Sequence, residues 1–297
     1  MRIGTRGSAL ALAQAGTVAE RLGPGAELVT VRTSGDASGA RVPRDLNDKE
    51  RWVRELELAL LAGELDLAVH SAKDVPSVLP EGLELVGAPP RGDPFDALVG
   101  APSLSELAPR ACVGTASLRR AAQLLALRDD LQVVVVRGNV DTRLRKLHEG
   151  DLDALVLAAA GLVRLGCEDE IGCVLHELVP APGQGTLTLE ARAGDASAAA
   201  AARAITDERA WEALRAERAL VRRLDASCNT PLGAYATVGA DGIVLRTFAG
   251  LPDGSSWLRD ETPPAATADA AGALAAERML AAGAGELLAR AEQLAAR

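Results

Sequence analysis

Residues 112–165 read CVGTASLRRAAQLLALRDDLQVVVVRGNVDTRLRKLHEGDLDALVLAAAGLVRL, and this stretch decides the fold class. Cys112-Val113-Gly114-Thr115 has the β-branched, compact character of a strand, and Leu118–Leu127 carries helical periodicity. Val133–Val136 reads as a buried strand, Val140–Leu147 as a helix and Ala154–Ala158 as a strand, with Leu162–Leu165 following. Strands alternating with helices predict parallel α/β sheets.

The same alternation extends toward the N-terminus. Arg2–Thr5 is strand-like, Ala9–Leu22 helical, Glu27–Arg32 a strand, Arg51–Leu61 helical and Leu65–Val69 a short apolar strand. Two Pro/Gly-rich crossings, Ala88–Pro94 and Val179–Gly185, separate the series, and two α/β lobes joined there would hinge around a cleft. Beyond the second crossing come the strand Thr186–Glu190 and helices through Val221. Strands Ala234–Val238 and Ile243–Phe248 flank the hairpin signal Gly239-Ala240-Asp241-Gly242. One long amphipathic helix is expected over about Ala268–Leu294, so the tail reads as a small α+β domain.

With 297 residues, 48% hydrophobic and 25% charged, the chain has globular composition and room for two or three domains. Its longest apolar runs are far too short to span a bilayer, and the N-terminus lacks the apolar core of a signal peptide. A cytoplasmic protein is expected. Cysteines 112, 167, 173 and 228 show no disulfide framework, and Cys167, Cys173 and His176 do not match a zinc spacing, so no metal is expected. A net charge of −9 and 2% aromatics argue against a nucleic-acid binder.

Several strand-to-helix junctions nevertheless carry arginine. Thr115-Ala116-Ser117-Leu118-Arg119-Arg120 puts a capping serine and two arginines at a helix start, against the helix dipole, a cost that a bound polyanion would offset. Arg137-Gly138-Asn139-Val140-Asp141-Thr142-Arg143 repeats the pattern, and Arg6-Gly7-Ser8 does so again, with Gln14 further along its helix. Arg164 follows Gly161. Guanidinium forks pair bidentately with carboxylate or phosphate, so the expected ligand carries many such groups. Neither a phosphate loop nor a dinucleotide fingerprint is present. Lys73 and Asp74, in His70-Ser71-Ala72-Lys73-Asp74-Val75-Pro76, sit where an α/β sheet places ligands, and Asp74 is the carboxylate chosen for chemistry. Cys228 stands in a short polar turn; near many guanidiniums its thiol should ionise readily, as a covalent anchor or a nucleophile.

Taken together, these segments resemble the porphobilinogen deaminase family. The resemblance lies in residues 4–11, 68–76, 113–120, 137–143, 158–166 and 182–185, and in the turn Cys228–Gly233. It implies two periplasmic-binding-protein-like α/β lobes joined by a double crossover, plus a small C-terminal α+β domain. Domain 1 would span residues 1–90 and 183–205, domain 2 residues 91–182, and domain 3 residues 206–297. It further implies a dipyrromethane cofactor joined by a thioether to Cys228. The enzyme would condense four porphobilinogens head to tail, releasing ammonia and giving a linear tetrapyrrole. Lys73, Asp74, Thr115, Ser117, Arg119, Arg120, Arg137 and Arg143 would hold the cofactor and growing chain. Arg6, Ser8, Gln14 and Arg164 would grip the substrate, and Asp74 would stabilise the cationic ring left as ammonia departs. A monomer without nucleic-acid or membrane partners is implied.

The chain departs from the family pattern where Gly-Gly-Lys-Gly-Leu-Phe is replaced by Asn47-Asp48-Lys49-Glu50-Arg51-Trp52, and before the cysteine, where Gly-Gly is Ala226-Ser227. Two competing readings are a two-lobed receptor for a small polycarboxylate and an inactive deaminase paralogue. The first leaves Cys228 without a role; the second draws on the altered loop.

Overall fold

A computed structural model describes residues 1–33, 50–226 and 230–295. Loop residues 47–49 and the thiol turn 227–229, Cys228 included, lie outside the described residues. In chain order the elements are β1 (Arg2–Arg6), α1 (Ala9–Leu22), β2 (Glu27–Val31), α2 (Glu50–Leu61), β3 (Leu67–Ser71), β4 (Leu83–Gly87) and β5 (Asp96–Val99). Then come β6 (Cys112–Gly114), α3 (Leu118–Leu127), β7 (Gln132–Val134), α4 (Val140–His148), β8 (Ala154–Ala158), α5 (Ala159–Arg164) and β9 (Ile171–Leu175). The chain continues through β10 (Leu187–Arg192), α6 (Ala196–Ala204), α7 (Glu208–Arg223), β11 (Leu232–Gly239), β12 (Gly242–Gly250), β13 (Trp257–Glu261), α8 (Ala268–Ala281) and α9 (Ala284–Ala295).

These elements form two α/β lobes and a small α+β region. By compactness the chain divides into Met1–Gly92 with Gly185–Leu214, and Asp93–Gln184 with Arg215–Arg297. The first unit holds a sheet of order β2-β1-β3-β10-β4. Its apolar faces close on Ile3, Val18, Leu67 and Leu189 on one side and on Leu56, Leu60, Leu65 and Ala68 on the other. The second holds a sheet of order β7-β6-β8-β5-β9 and a three-stranded sheet, β11-β12-β13, on which α8 and α9 pack.

Both lobe sheets are mixed, which corrects the expectation of parallel sheets. β1, β2 and β3 run parallel, but β10 pairs antiparallel with β3 and β4. Likewise β5 runs antiparallel to β8 and β9. The reason is topological: β5 and β10 are the strands that follow the two crossings, and they enter their sheets from the opposite end. A second correction concerns Val133–Val136, expected as a buried strand. The strand is Gln132–Val134 at the sheet edge, where Val133 and Val134 are only partly buried against the core, Val135 is 69% exposed and Val136 alone of the four is buried. The apolar strand expected at Leu65–Val69 starts at Leu67, and the expected C-terminal helix is two helices, broken at Gly283, whose φ of +94° is open to glycine. The hairpin holds as read, with Gly239 paired to Gly242.

Candidate functional site

In the first unit, β1 and β3 are parallel neighbours, so their C-terminal ends open at one edge of the sheet. Arg6 ends β1, and Ser8 begins the following helix, its Oγ accepting from Ala11 N–H at 3.3 Å. Gln14 is buried one turn further on. At the end of β3 a single tight turn, Ala72–Asp74, carries Lys73 and Asp74, both half-buried. Ala72 N–H donates to Thr186 O at 3.0 Å, and the Ala72 side chain packs with Ala88, Leu214 and Trp211. The turn is therefore fixed from beneath while its two charged residues stay half-open.

One strand residue earlier, His70 Nε2 lies 2.9 Å from Glu190 Oε2, both side chains almost wholly buried. This pair was not singled out from sequence, and its signal is faint: a histidine inside an otherwise apolar strand.

In the second unit the arginines converge on a carboxylate that sequence reasoning missed. Asp96 opens β5 and is fully buried. Its two oxygens accept from Arg119 Nη1 and Nη2 at 2.8 and 3.1 Å, from Arg120 Nε at 2.8 Å and from Gln184 Nε2 at 2.8 Å. Arg119 Nη1 also donates to Val179 O at 2.7 Å, and Arg120 Nη1 to Val156 O at 3.0 Å. The protein's own carboxylate thus supplies part of the counter-charge that two arginines at the start of α3 require. Burial alone would raise the Asp96 pKa, but Arg119 and Arg120 outweigh it and hold the carboxyl well below the usual range.

Thr115 and Ser117 shape the start of the same helix. Ser117 Oγ accepts from Arg120 N–H at 3.4 Å, the cap expected from sequence, and Ser117 N–H donates to Thr115 Oγ1 at 3.2 Å. Arg143, on α4, is pushed down to about 10, first by burial and then by the like charge of Arg120. Its Nε donates to Gly138 O at 2.9 Å. Burial also lowers the Arg164 pKa on α5, whereas Arg137 is exposed beyond β7.

The structure brings Thr115, Ser117, Arg119, Arg120 and Arg143 into one neighbourhood, and sets Arg6, Lys73 and Asp74 on adjoining strand ends of the other unit. Arg119 and Arg120 share the buried carboxylate of Asp96, and Arg143 adds a third guanidinium near enough to feel the charge of Arg120. That imbalance is what a polycarboxylate would correct. Among the described residues, no group of three or more His, Cys, Asp or Glu is placed to hold a metal.

Comparison with known proteins follows the same lines. The family models described as porphobilinogen deaminase, dipyromethane cofactor binding domain, and porphobilinogen deaminase, C-terminal domain, match residues 1–200 and 211–281. A porphobilinogen deaminase of Nitrobacter hamburgensis is 47% identical over 280 residues, covering 91% of this chain and 88% of the relative. One from Desulforudis audaxviator is 46% identical over 97% of this chain and 96% of its own length. The chain belongs to the porphobilinogen deaminase family.

Solved structures similar to this deaminase-family chain include the methionine binding protein MetQ, at a TM-score of 0.45 and 16% identity over 71% of this chain and 92% of that one. An immunogenic lipoprotein A from Vibrio vulnificus gives 0.42 at 14% identity over 73% and 99%. The family assignment rests on the sequence matches. The donor set of the second unit fits the acid-bearing cofactor named in the first family model. Besides the surplus of guanidiniums, the buried Nε of Arg119 has no acceptor among the described residues.

Proposed function

We propose that this chain is a transferase with hydroxymethylbilane synthase activity. It condenses four porphobilinogens head to tail on a dipyrromethane primer held by a thioether to Cys228, releasing four molecules of ammonia. The observation that carries this reading is the arginine cluster around Asp96 in a chain matched over most of its length by one family.

Each pyrrole brings an acetate and a propionate, so a two-ring primer and its added rings arrive with many carboxylates. When bound, the primer supplies a nucleophilic ring carbon and those acid side arms. Lys73, Thr115, Ser117, Arg119, Arg120, Arg137 and Arg143 are assigned to the acid arms, because ammonium, hydroxyl and guanidinium groups donate to carboxylates. Arg6, Ser8, Gln14 and Arg164 are assigned to the incoming substrate.

Asp74 is assigned to the substrate ring. The ring gains positive charge as its carbon–nitrogen bond breaks, and a fixed carboxylate stabilises charge where it develops. The same carboxylate is assigned to take the proton released once the new carbon–carbon bond has formed. The reading extends to a cytoplasmic monomer with domains at residues 1–90 with 183–205, 91–182 and 206–297. Its acidic net charge of −9 supports action without nucleic acid.

Intact-mass spectrometry of the purified protein tests the assignment. A mass above that encoded, by roughly two deaminated pyrroles and lost in Cys228→Ala, supports it. A wild-type chain of bare encoded mass that consumes no porphobilinogen after reconstitution overturns it. Dialysis separates the alternatives, since it strips a receptor's ligand and leaves a thioether adduct.

A further inference from the structure

We propose that Asp96 is a positioning residue for anion capture: it presets the Arg119 and Arg120 forks for the carboxylates of the ligand. The proposal deepens the functional reading above and rests on it for the identity of the natural ligand.

Arg119 and Arg120 are adjacent in sequence, 4% and 6% exposed, and both sit in the first turn of α3. Like charges so placed repel one another and oppose the helix dipole, so without a counter-charge they would have no single arrangement. Asp96 meets Arg119 with both oxygens and Arg120 with one, which fixes each planar fork in direction as well as in charge. The peptide oxygens of Val179 and Val156 lock the outer ends.

The arrangement is also tied to the chain crossings. Gln184 donates to Asp96 at 2.8 Å and to Pro94 O at 2.8 Å, and its Oε1 accepts from Arg120 Nη2 at 3.4 Å. Pro94 belongs to one crossing and Gln184 to the other, so one amide joins both to the arginine pair.

Charge alone makes the opposite prediction from positioning, which makes the proposal testable. Removing the Asp96 charge leaves the cluster more positive, and simple attraction would then tighten anion binding. If Asp96 instead sets geometry, binding weakens although the site has gained positive charge.

The experiment uses full-length protein carrying Cys228→Ser, so that no thioether adduct forms whatever the natural cofactor is. Benzenehexacarboxylate, a ring with six acid groups, is titrated by calorimetry into this parent and into the same chain with Asp96→Asn. The expected result is a Kd raised about ten-fold or more, the scale known for outer partners that orient metal ligands. An unchanged or lower Kd in a folded Asp96→Asn protein overturns the proposal, as does a folded parent that binds no probe. Should Asp96→Asn fail to fold by circular dichroism, Gln184→Met in the same background takes its place. It keeps every charge and removes the amide bonds to Asp96 and Pro94. A Kd raised about three-fold supports positioning, and an unchanged Kd overturns it. The intact mass of the wild-type chain decides the functional reading separately.

Discussion

Glu217 Oε2 accepts a hydrogen bond of 2.6 Å from the backbone N–H of Gly183, and its other oxygen accepts one of 2.9 Å from Ala236 N–H. Glu217 lies on α7 and is fully buried. One carboxylate therefore joins the second chain crossing to β11, the strand that follows the thiol turn. Ala234 N–H reinforces the junction by donating to Pro180 O at 2.9 Å. Replacing Glu217 by Ala leaves two buried N–H groups without these acceptors. The expected cost is roughly 2–5 kcal/mol, read as a lower urea midpoint with an unchanged slope. A loss below about 0.5 kcal/mol would show that the crossing is held by other contacts.

Arg143 is predicted to trade stability against binding. Burial and the neighbouring charge of Arg120 push it down to about 10, so its charged form is a burden on the protein before any anion binds. Arg143→Met should melt at or above the wild-type temperature in adduct-free protein and bind benzenehexacarboxylate several-fold more weakly. A clear fall in melting temperature with unchanged binding would reverse the assignment.

For Asp74 the prediction concerns rate alone. The turn that carries it is fixed by Ala72, whose N–H bonds Thr186 and whose side chain is buried. Asp74→Asn should fold, keep the mass of the adduct and lose turnover on the order of a hundred-fold or more. Single-turnover measurements with porphobilinogen check this, and near wild-type rates would remove Asp74 from the chemistry.

Acid should unfold the protein in part through Asp96. An unfolded aspartate titrates near about 3.9, and in the folded protein Arg119 and Arg120 hold this one lower despite burial. Its folded pKa is the depressed one, so the stabilisation is complete above the unfolded value. It is lost as the pH falls through that value toward the folded one. The wild-type urea midpoint should therefore drop steeply below about pH 4, with a shallower drop in folded Asp96→Asn. Parallel curves for the two proteins would mean that other carboxylates set the acid limit.

Spacing β6 tightly is the last expectation. A Cβ on Gly114 would stand 2.7 Å from Leu155 Cδ2 and 2.8 Å from Leu152 Cδ1 and from Val136 Cγ2. Gly114→Ala should cost about 1–3 kcal/mol of overpacking and displace Thr115, the next residue. Thermal melts and benzenehexacarboxylate binding read the two effects together.

By itself, the sequence determined the local alternation of strand and helix and the junctions that carry Arg6, Lys73, Asp74, Arg119, Arg120 and Arg143. It also determined the family, through motifs spread over the whole chain. Helix bounds such as Ala9–Leu22 and Leu118–Leu127 were legible because caps and apolar periodicity are local properties. Strand direction was not, since β5 and β10 run antiparallel for reasons set by where the chain crosses. Nor was Asp96 legible. In Asp93-Pro94-Phe95-Asp96 it reads as one more charge in a polar turn. Only folding buries it among guanidiniums 23 and 24 residues away and an amide 88 residues away. Periodicity carries information over a few residues, whereas the partner of a buried charge is chosen by long-range packing, where an unpaired ion is too costly to persist.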